Sequence, residues 1–211
     1  MKVKERAEKV LDSLKKHYPD LKCFLHHGDP VQLLVAVMLS AQCTDERVNK
    51  VTPILFKRFK TAKDFAYCNI KELEKYIQST GFYHNKAKHI QSACRMLVEE
   101  FHGKMPATMD KMIKLPGVGR KTANVVLATA HGIIVGVTVD THVTRLSQRL
   151  GLTKHKDPVK IEKDLMKIIP KKDWDRVSLL LIQHGRQVCN ARKPKCDECF
   201  LNKLCPSAFK V

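Results

Sequence analysis

Apolar residues recur at helical spacing along almost the whole chain, and this pattern restricts the fold more than any other feature. The first apolar stripe consists of Val3, Ala7, Val10, Leu11 and Leu14. Further helical patterns cover residues 31–43, 46–59, 61–67, 70–79, 85–101, 109–115, 121–130, 141–150, 158–169 and 173–188. Only residues 133–139 have a β-like pattern, and one such segment cannot form a sheet. The sequence therefore predicts an all-α fold.

The chain has 211 residues and a net charge of +18 at pH 7. The excess of lysine and arginine is spread along the chain, so we expect a positive surface on a folded body. Such a surface suits a polyanion, because each neutralised phosphate releases condensed counterions. The alternative is ordinary solvated surface charge. No apolar run is long enough to span a membrane, and no signal peptide is visible, which predicts an intracellular, cytoplasmic protein.

Four of the eight cysteines lie close together near the C-terminal end, at Cys189, Cys196, Cys199 and Cys205. The others are scattered and are expected to be buried thiols, at Cys23, Cys43, Cys68 and Cys94. Disulfides are not expected inside a cell. The clustered four predict a metal site, either zinc or a [4Fe–4S] cluster. Common zinc sites use two C-x-x-C pairs, and the single pair here favours iron and sulfur without excluding zinc.

The segment Leu115-Pro116-Gly117-Val118-Gly119-Arg120-Lys121 predicts a tight hairpin that starts a helix. Gly117 and Gly119 permit positive φ and a close approach of the backbone to another group. The unpaired N–H groups and the dipole at a helix start attract anions. The hairpin is therefore a candidate phosphate site, although Gly-x-Gly before a helix is also typical of a simple turn.

Lys121 and Asp140 are the candidate catalytic residues. The positive end of the helix dipole disfavours the charged form of Lys121, and partial burial would lower its pKa further, which favours a nucleophilic amine. The alternative is a solvated or phosphate-binding lysine. Asp140 precedes the helical pattern of residues 141–150 and is expected to cap that helix, a role compatible with catalysis.

These features together resemble the endonuclease III family of DNA glycosylases, within the helix-hairpin-helix superfamily that has a Gly/Pro-rich loop and an aspartate. The resemblance rests on segments 38–45, 81–87, 115–121, 139–142 and 184–186 and on the cysteine spacing. They occur in family order over essentially the whole chain. The resemblance implies a [4Fe–4S] cluster bound by Cys189, Cys196, Cys199 and Cys205.

The resemblance also implies the reaction. A damaged pyrimidine leaves double-stranded DNA and enters a pocket, as base-modifying enzymes require. Lys121 would attack C1′ of the sugar, displace the base and form a Schiff base, from which β-elimination nicks the strand. Asp140 would deprotonate the lysine or stabilise positive charge on the sugar. Superfamily members that only remove the base usually lack this lysine, which implies AP-lyase activity at abasic sites.

Further residues are implied as DNA contacts. The hairpin residues Leu115, Gly117, Val118, Gly119 and Arg120 would hold a backbone phosphate. Gln42 would fill the gap left by the extruded base. Phe82 stands where relatives usually have a leucine wedge, and it could stack in the opened step; the alternative is a core residue. Lys193 and Lys195 lie in a basic loop that the cluster would order for phosphate contact.

The implied architecture is two helical domains with a DNA-binding cleft between them, acting as a monomer. One is a six-helix domain, residues 23–132, and the other combines residues 1–22 and 133–211. One alternative is a mismatch-specific or adenine-specific glycosylase. The adenine-specific relative, however, has an acidic residue in the helix matching 31–43 and an extra C-terminal domain, whereas this chain ends shortly after Cys205. A non-catalytic DNA-binding module is the other alternative, and it would not need Lys121 and Asp140 together.

Overall fold

The computed structural model describes residues 1–21 and 23–211, and the regular secondary structure in this part of the chain is entirely helical. Lys22, the last residue of the expected segment 1–22, lies outside the described residues. Residues 133–139, with their β-like pattern, form no regular element. The predicted all-α class is confirmed. Among the same described residues, no helix has the length and apolar character needed to cross a bilayer.

The described residues form eleven α-helices. They are α1 (Val3–His17), α2 (Pro30–Leu39), α3 (Asp45–Arg58), α4 (Ala62–Ala66), α5 (Ile70–Ile77), α6 (Tyr83–Phe101), α7 (Met109–Met112), α8 (Arg120–His131), α9 (Thr141–Arg149), α10 (Pro158–Ile168) and α11 (Trp174–Gln187). Short 3-10 turns lie at Gln78–Thr80 and Lys171–Asp173.

One compact unit, here called the hairpin unit, is Cys23–Val135 and contains α2 to α8. Residues 33–39 of α2 are all buried, as expected for a helix that is apolar on every side. Asp29 caps this helix, and its side chain accepts two first-turn N–H groups at 2.8 and 2.9 Å. Because α2 packs against α3, α6 and α8, the helix that follows the predicted hairpin is anchored to the core.

The other compact unit, here called the cysteine unit, combines Met1–Lys22 with Gly136–Val211. In it, α1 packs against α10 and α11, and α9 packs against α11. Leu201, in the irregular segment after α11, is fully buried in the same core. The second boundary between units follows Val135, whereas the sequence suggested residue 132. Residues 23–132 contain seven described α-helices, α2 to α8, as many as the helical patterns in that range, whereas the family resemblance implied a six-helix domain.

Several helix ends differ from the sequence prediction. The pattern of residues 31–43 predicted a helix to Cys43, but α2 ends at Leu39. Ser40 Oγ donates to the carbonyl of Val37 at 2.8 Å, and Gln42 has a φ of 53°, which no α-helix continues. The helix predicted for 109–115 is reduced to α7, followed by a turn. Conversely, α6 begins at Tyr83, before the predicted start at Asn85.

Candidate functional site

The predicted hairpin is present between α7 and α8. The N–H of Val118 donates to the carbonyl of Leu115 at 3.0 Å, which closes the turn. The side chains of Leu115 and Val118 are buried in the core, so only their backbone groups are available to a ligand. Gly117, Gly119 and Arg120 are exposed. The hairpin therefore presents backbone to the surface while two apolar side chains anchor it.

The two hairpin glycines differ in what they require. Gly117 has a φ of +75°, and a Cβ there would lie 2.7 Å from Cβ of His89. Alanine at 117 would thus meet both a strained backbone and a steric clash. Gly119 has a φ of −87° and is the N-cap of α8, and a Cβ there would meet nothing within 4 Å. The positive φ that glycine permits is therefore used at Gly117 and not at Gly119.

Lys121 is exposed in the first turn of α8, next to Arg120. The helix behind it is held by Ala123, Val126 and Leu127, which are fully buried in the hairpin unit. Lys121 therefore projects from a fixed helix start beside the hairpin, and its amine is accessible to a solvent-borne substrate. The partial burial considered from the sequence is not present in this structure.

Asp140 is the N-cap of α9 in the cysteine unit, as the sequence predicted. Its Oδ1 accepts the N–H of Val143 at 2.8 Å, and the carboxylate is half-buried. The cap fixes the position of the carboxylate, because Val143 and Leu146 anchor the helix by complete burial. Lys121 belongs to the hairpin unit and Asp140 to the cysteine unit.

A polar network follows Asp140 along α9. Arg145 Nη2 donates to Nδ1 of His142 at 3.1 Å and to the carbonyls of Gly185 and Cys189 at 3.0 and 2.9 Å. Burial lowers the pKa of His142, which keeps the Nδ1 acceptor unprotonated. A Cβ on Gly185 would lie 2.9 Å from His142 Nδ1, so glycine permits the close approach of α9 and α11.

Gln42 and Phe82 are both exposed and both have left-handed backbone, with φ of 53° and 48°. Phe82 has 65% of its surface exposed, so the core alternative for this residue is wrong. An exposed aromatic ring in a backbone conformation that non-glycine residues rarely adopt is typical of a functional position. Both residues lie in the hairpin unit, at the end of α2 and the start of α6.

The four clustered cysteines line one cavity in the cysteine unit, with a space of about 430 Å³ that is partly open to solvent. Two of their sulfurs accept N–H groups at 3.4 Å, from Arg149 to Cys189 and from the backbone of Phe209 to Cys196, and Nε2 of His184 lies 3.4 Å from the sulfur of Cys199. N–H donors that surround cysteine sulfurs are typical of iron–sulfur sites.

The arrangement of donors also bears on zinc. A zinc ion holds cysteine sulfurs at about 2.3 Å from one point. Within residues 1–21 and 23–211, no group of three or more His, Cys, Asp or Glu side chains is arranged to hold a single metal ion. A [4Fe–4S] cluster is larger, because each cysteine binds a different iron. Burial, the largest effect, raises the pKa of Cys199, and the other three cysteines raise it further, so thiolates here need compensating positive charge. The donor set fits the cluster.

The loop that follows Cys189 is held by α9. Arg149 donates to the carbonyls of Asn190 and Ala191 at 2.7 and 2.8 Å. Lys193 and Lys195 are exposed on this loop, and Lys195 Nζ lies 3.7 Å from Glu198, a surface pair of small energetic value. Of the four scattered cysteines, which the sequence predicted to be buried thiols, Cys94 is buried, whereas Cys23, Cys43 and Cys68 are only partly buried.

Sequence reasoning missed three residues that organise these segments. His89 leaves no room for a Cβ at Gly117, Arg149 holds the cysteine loop, and the buried Lys86 binds carbonyls of two separate elements. Lys86 was part of the segment 81–87 that carried the resemblance, but its burial had no local signal, since lysine is almost always exposed.

Comparison with known proteins identifies related families and structures. Residues 35–171 match the HhH-GPD superfamily base excision DNA repair proteins, and residues 189–205 match the iron-sulfur binding domain of endonuclease III. Endonuclease III of Synechocystis sp. is 62% identical over 205 residues, which cover 97% of this chain and 94% of that protein. Endonuclease III of Escherichia coli K12 is 38% identical over 208 residues, with coverage of 99% and 98%.

Solved structures give the same result. A trapped endonuclease III–DNA covalent intermediate superposes with a TM-score of 0.93 at 46% identity and covers 99% of this chain and 98% of its own. A thermostable thymine-DNA glycosylase has a TM-score of 0.87 at 22% identity, with coverage of 98% of both chains. At that identity the likeness establishes a shared fold only.

Proposed function

The chain belongs to the HhH-GPD superfamily of base excision DNA repair proteins and, within it, to the endonuclease III family, and on that basis we propose its substrate and its reacting residues. It is a bifunctional DNA glycosylase and AP lyase that carries a [4Fe–4S] cluster. The substrate we propose is double-stranded DNA with an oxidised or otherwise damaged pyrimidine, or an abasic site, bound by a monomer. Such a substrate implies action on chromosomal DNA inside the cell.

Lys121 is the proposed nucleophile. Its Nζ bonds to C1′ while the bond from C1′ to the base breaks, and the base leaves with the electron pair. Loss of a proton from Nζ and opening of the sugar at O4′ form the Schiff base. Removal of a proton from C2′ then breaks the C3′–O bond and releases the 3′ phosphate. The exposure of Lys121 at a fixed helix start supports this role.

Asp140 is proposed to act in the same reaction, as a base toward the amine or as a negative charge that stabilises the developing positive sugar. Its support is a carboxylate whose position is already set by the N-cap bond at 2.8 Å. A preoriented charge needs no reorganisation during the reaction, which is the main source of electrostatic catalysis.

The hairpin from Leu115 to Arg120 is the proposed phosphate-binding site, and the backbone N–H groups at the start of α8 would donate to the phosphate. Gln42 and Phe82 are proposed to enter the duplex where the damaged base leaves. Both are exposed, and an aromatic side chain between base steps stabilises an opened duplex by stacking. Lys193 and Lys195, which are exposed, are proposed to contact DNA phosphates.

Cys189, Cys196, Cys199 and Cys205 are the proposed ligands of the cluster. When bound, the cluster supplies a rigid cross-link for a segment that has no regular secondary structure. The chain's own contribution is the N–H donors to the sulfurs and the grip of Arg149 on the loop carbonyls. These contacts hold the backbone that carries Lys193 and Lys195.

The observation that carries the proposal is the exposed Lys121 directly after the Gly117 hairpin. Borohydride reduction in the presence of abasic-site DNA tests it, because borohydride converts the Schiff base into a stable amine. The wild-type holoprotein should form a covalent adduct, Lys121→Ala should form none, and Lys63→Ala should behave as wild type. Lys63 is a matched control, an exposed lysine in α4 of the same unit. An undiminished adduct with Lys121→Ala would exclude Lys121 as the nucleophile.

A further inference from the structure

Lys86 is a buried lysine near the start of α6, with 7% of its surface exposed. Removal of an ammonium group from water is costly unless its N–H donors are paired. Nζ donates to the carbonyl of Leu39 and to the carbonyl of Thr80, each at 2.8 Å. Burial lowers the pKa of Lys86, and nearby Cys43 raises it. One buried charge is thus held by backbone from two separate elements.

The two carbonyls stand just before the two exposed residues proposed to enter DNA. Leu39 is the last residue of α2, and Gln42 follows in the next turn. Thr80 ends a 3-10 turn, and Phe82 follows after one glycine. The backbone N–H of Lys86 also donates to the carbonyl of Phe82 at 3.0 Å. Both side-chain bonds end on carbonyls at helix C-termini, where the dipole attracts a cation.

Gln42 and Phe82 have φ values of 53° and 48°, a conformation that persists in non-glycine residues only when the surroundings hold it. We propose that Lys86 is a positioning residue that fixes Gln42 and Phe82 relative to each other, so that both enter the opened duplex together. The inference rests on the proposed DNA role of these two residues, and it extends the machinery to a residue that does not touch DNA.

A different account would give Lys86 only a structural role, as a cap for two helix ends. In that case its loss would lower stability and would weaken every DNA complex alike. A positioning role instead predicts a selective loss at the lesion. It also predicts that the effects of changing Gln42 and Phe82 depend on Lys86, because residues that act as a unit are not additive.

The test uses the holoprotein and two duplexes, one undamaged and one with a tetrahydrofuran abasic analogue opposite 2-aminopurine. Lys86→Met keeps most of the unbranched side chain, which is one heavy atom shorter than that of lysine, and removes its donors. Lys88→Met, an exposed lysine on the same helix, is the charge control. Lys86→Met should weaken binding of the abasic duplex on the order of 10-fold and reduce the 2-aminopurine fluorescence gain, with undamaged DNA unaffected. Lys88→Met should change both duplexes equally.

The positioning readout is a set of double variants. In the wild-type background, Gln42→Ala and Phe82→Ala should each weaken binding of the abasic duplex. The double variant should weaken it by less than the product of the two single fold-changes. With Lys86→Met present, this dependence should disappear. If Lys86→Met leaves the dependence intact, or weakens both duplexes equally, the inference is overturned. It is also overturned if neither Gln42→Ala nor Phe82→Ala has an effect in the wild type.

Folding and the lyase are checked separately by borohydride trapping on single-stranded abasic DNA, which has no duplex to open. Lys86→Met should form this adduct as the wild type does. If that variant does not fold, Lys86→Gln takes its place, because its side chain is polar but uncharged and too short by one bond to put its nitrogen where Nζ meets both carbonyls. Unchanged discrimination by Lys86→Gln overturns the inference. If the wild type forms no adduct, the proposed function itself is contradicted. If the wild type forms the adduct and the Lys86 variants still prefer the abasic duplex over the undamaged one as strongly as the wild type does, only the role of Lys86 is contradicted.

Discussion

Replacement of Gly117 by alanine should destabilise the hairpin unit by two independent effects. With a φ of +75°, residue 117 is in the left-handed region, which costs a residue with a Cβ about 1–2 kcal/mol. The new Cβ would also lie 2.7 Å from Cβ of His89 and 3.1 Å from the terminal methyl of Met38, and overpacking costs about 1–3 kcal/mol. The expected loss is therefore about 2–5 kcal/mol, a large share of the stability of a typical domain.

Two other glycines separate these effects. Gly132, which ends α8, has a φ of +65°, and a Cβ there would meet nothing within 4 Å. Gly132→Ala should therefore cost only the backbone strain, about 1–2 kcal/mol. Gly119 has ordinary φ and open space, so Gly119→Ala should lose only the N-cap preference of glycine, below about 1 kcal/mol.

The assay is urea unfolding of the three holoprotein variants, followed by circular dichroism, with binding of an abasic-analogue duplex measured on the folded proteins. Gly117→Ala should be the least stable and Gly119→Ala the most stable. Gly117→Ala should also bind the duplex more weakly, because His89 can be avoided only by a shift of the hairpin. Equal losses for Gly117→Ala and Gly132→Ala would refute the steric part of the reasoning.

Three more predictions concern the cysteine unit. Asp140→Asn should change the free energy of unfolding by less than about 0.5 kcal/mol, because asparagine caps a helix equally well, but it should abolish base excision. Asp140→Ala should abolish base excision and also lower the free energy of unfolding by about 1 kcal/mol. Thermal unfolding and single-turnover excision measure the two effects. Burial holds the pKa of His142 below 6.5, so the unfolded chain binds a proton at higher pH than the folded protein does, and the free energy of unfolding should fall as the pH drops below 6.5. His142→Asn should reduce this dependence on pH. The measurement is urea unfolding at several pH values, over the range in which the absorbance of the cluster is unchanged. Cys196→Ser should lose iron and visible absorbance, whereas Cys23→Ala should retain both; full iron content in Cys196→Ser would remove it from the ligand set.

Capping residues were predictable because a cap depends on neighbours within one helical turn. Asp29 and Asp140 precede apolar helical patterns, and both accept first-turn N–H groups in the structure. The end of α2 was not predictable in the same way. Apolar residues continue past Leu39, but Ser40 bonds back to the helix and the chain turns at Gln42, next to carbonyls held by Lys86. Contacts from α6, remote in sequence, support that turn.

The exposure of individual site residues was also not predictable from residue type. Phe82 could have been a core residue by its type, but it is exposed, and its backbone lies in the left-handed region. Lys86 is buried although its type is almost always exposed, since two carbonyls meet at its ammonium group. In both cases residue type favoured the wrong environment.

The sequence alone determined the helical class, the hairpin with its lysine, the capping aspartate and the four cysteines, because each depends on spacings within a few residues or on a motif. Tertiary structure alone decided that Gly117 and not Gly119 must be glycine, that Leu115 and Val118 offer only backbone, and that Lys86 joins two segments. The physical reason is that steric fit and burial depend on atoms from elements that are distant in the sequence, such as His89 beside the hairpin. A local sequence pattern contains no information about which distant atoms pack there.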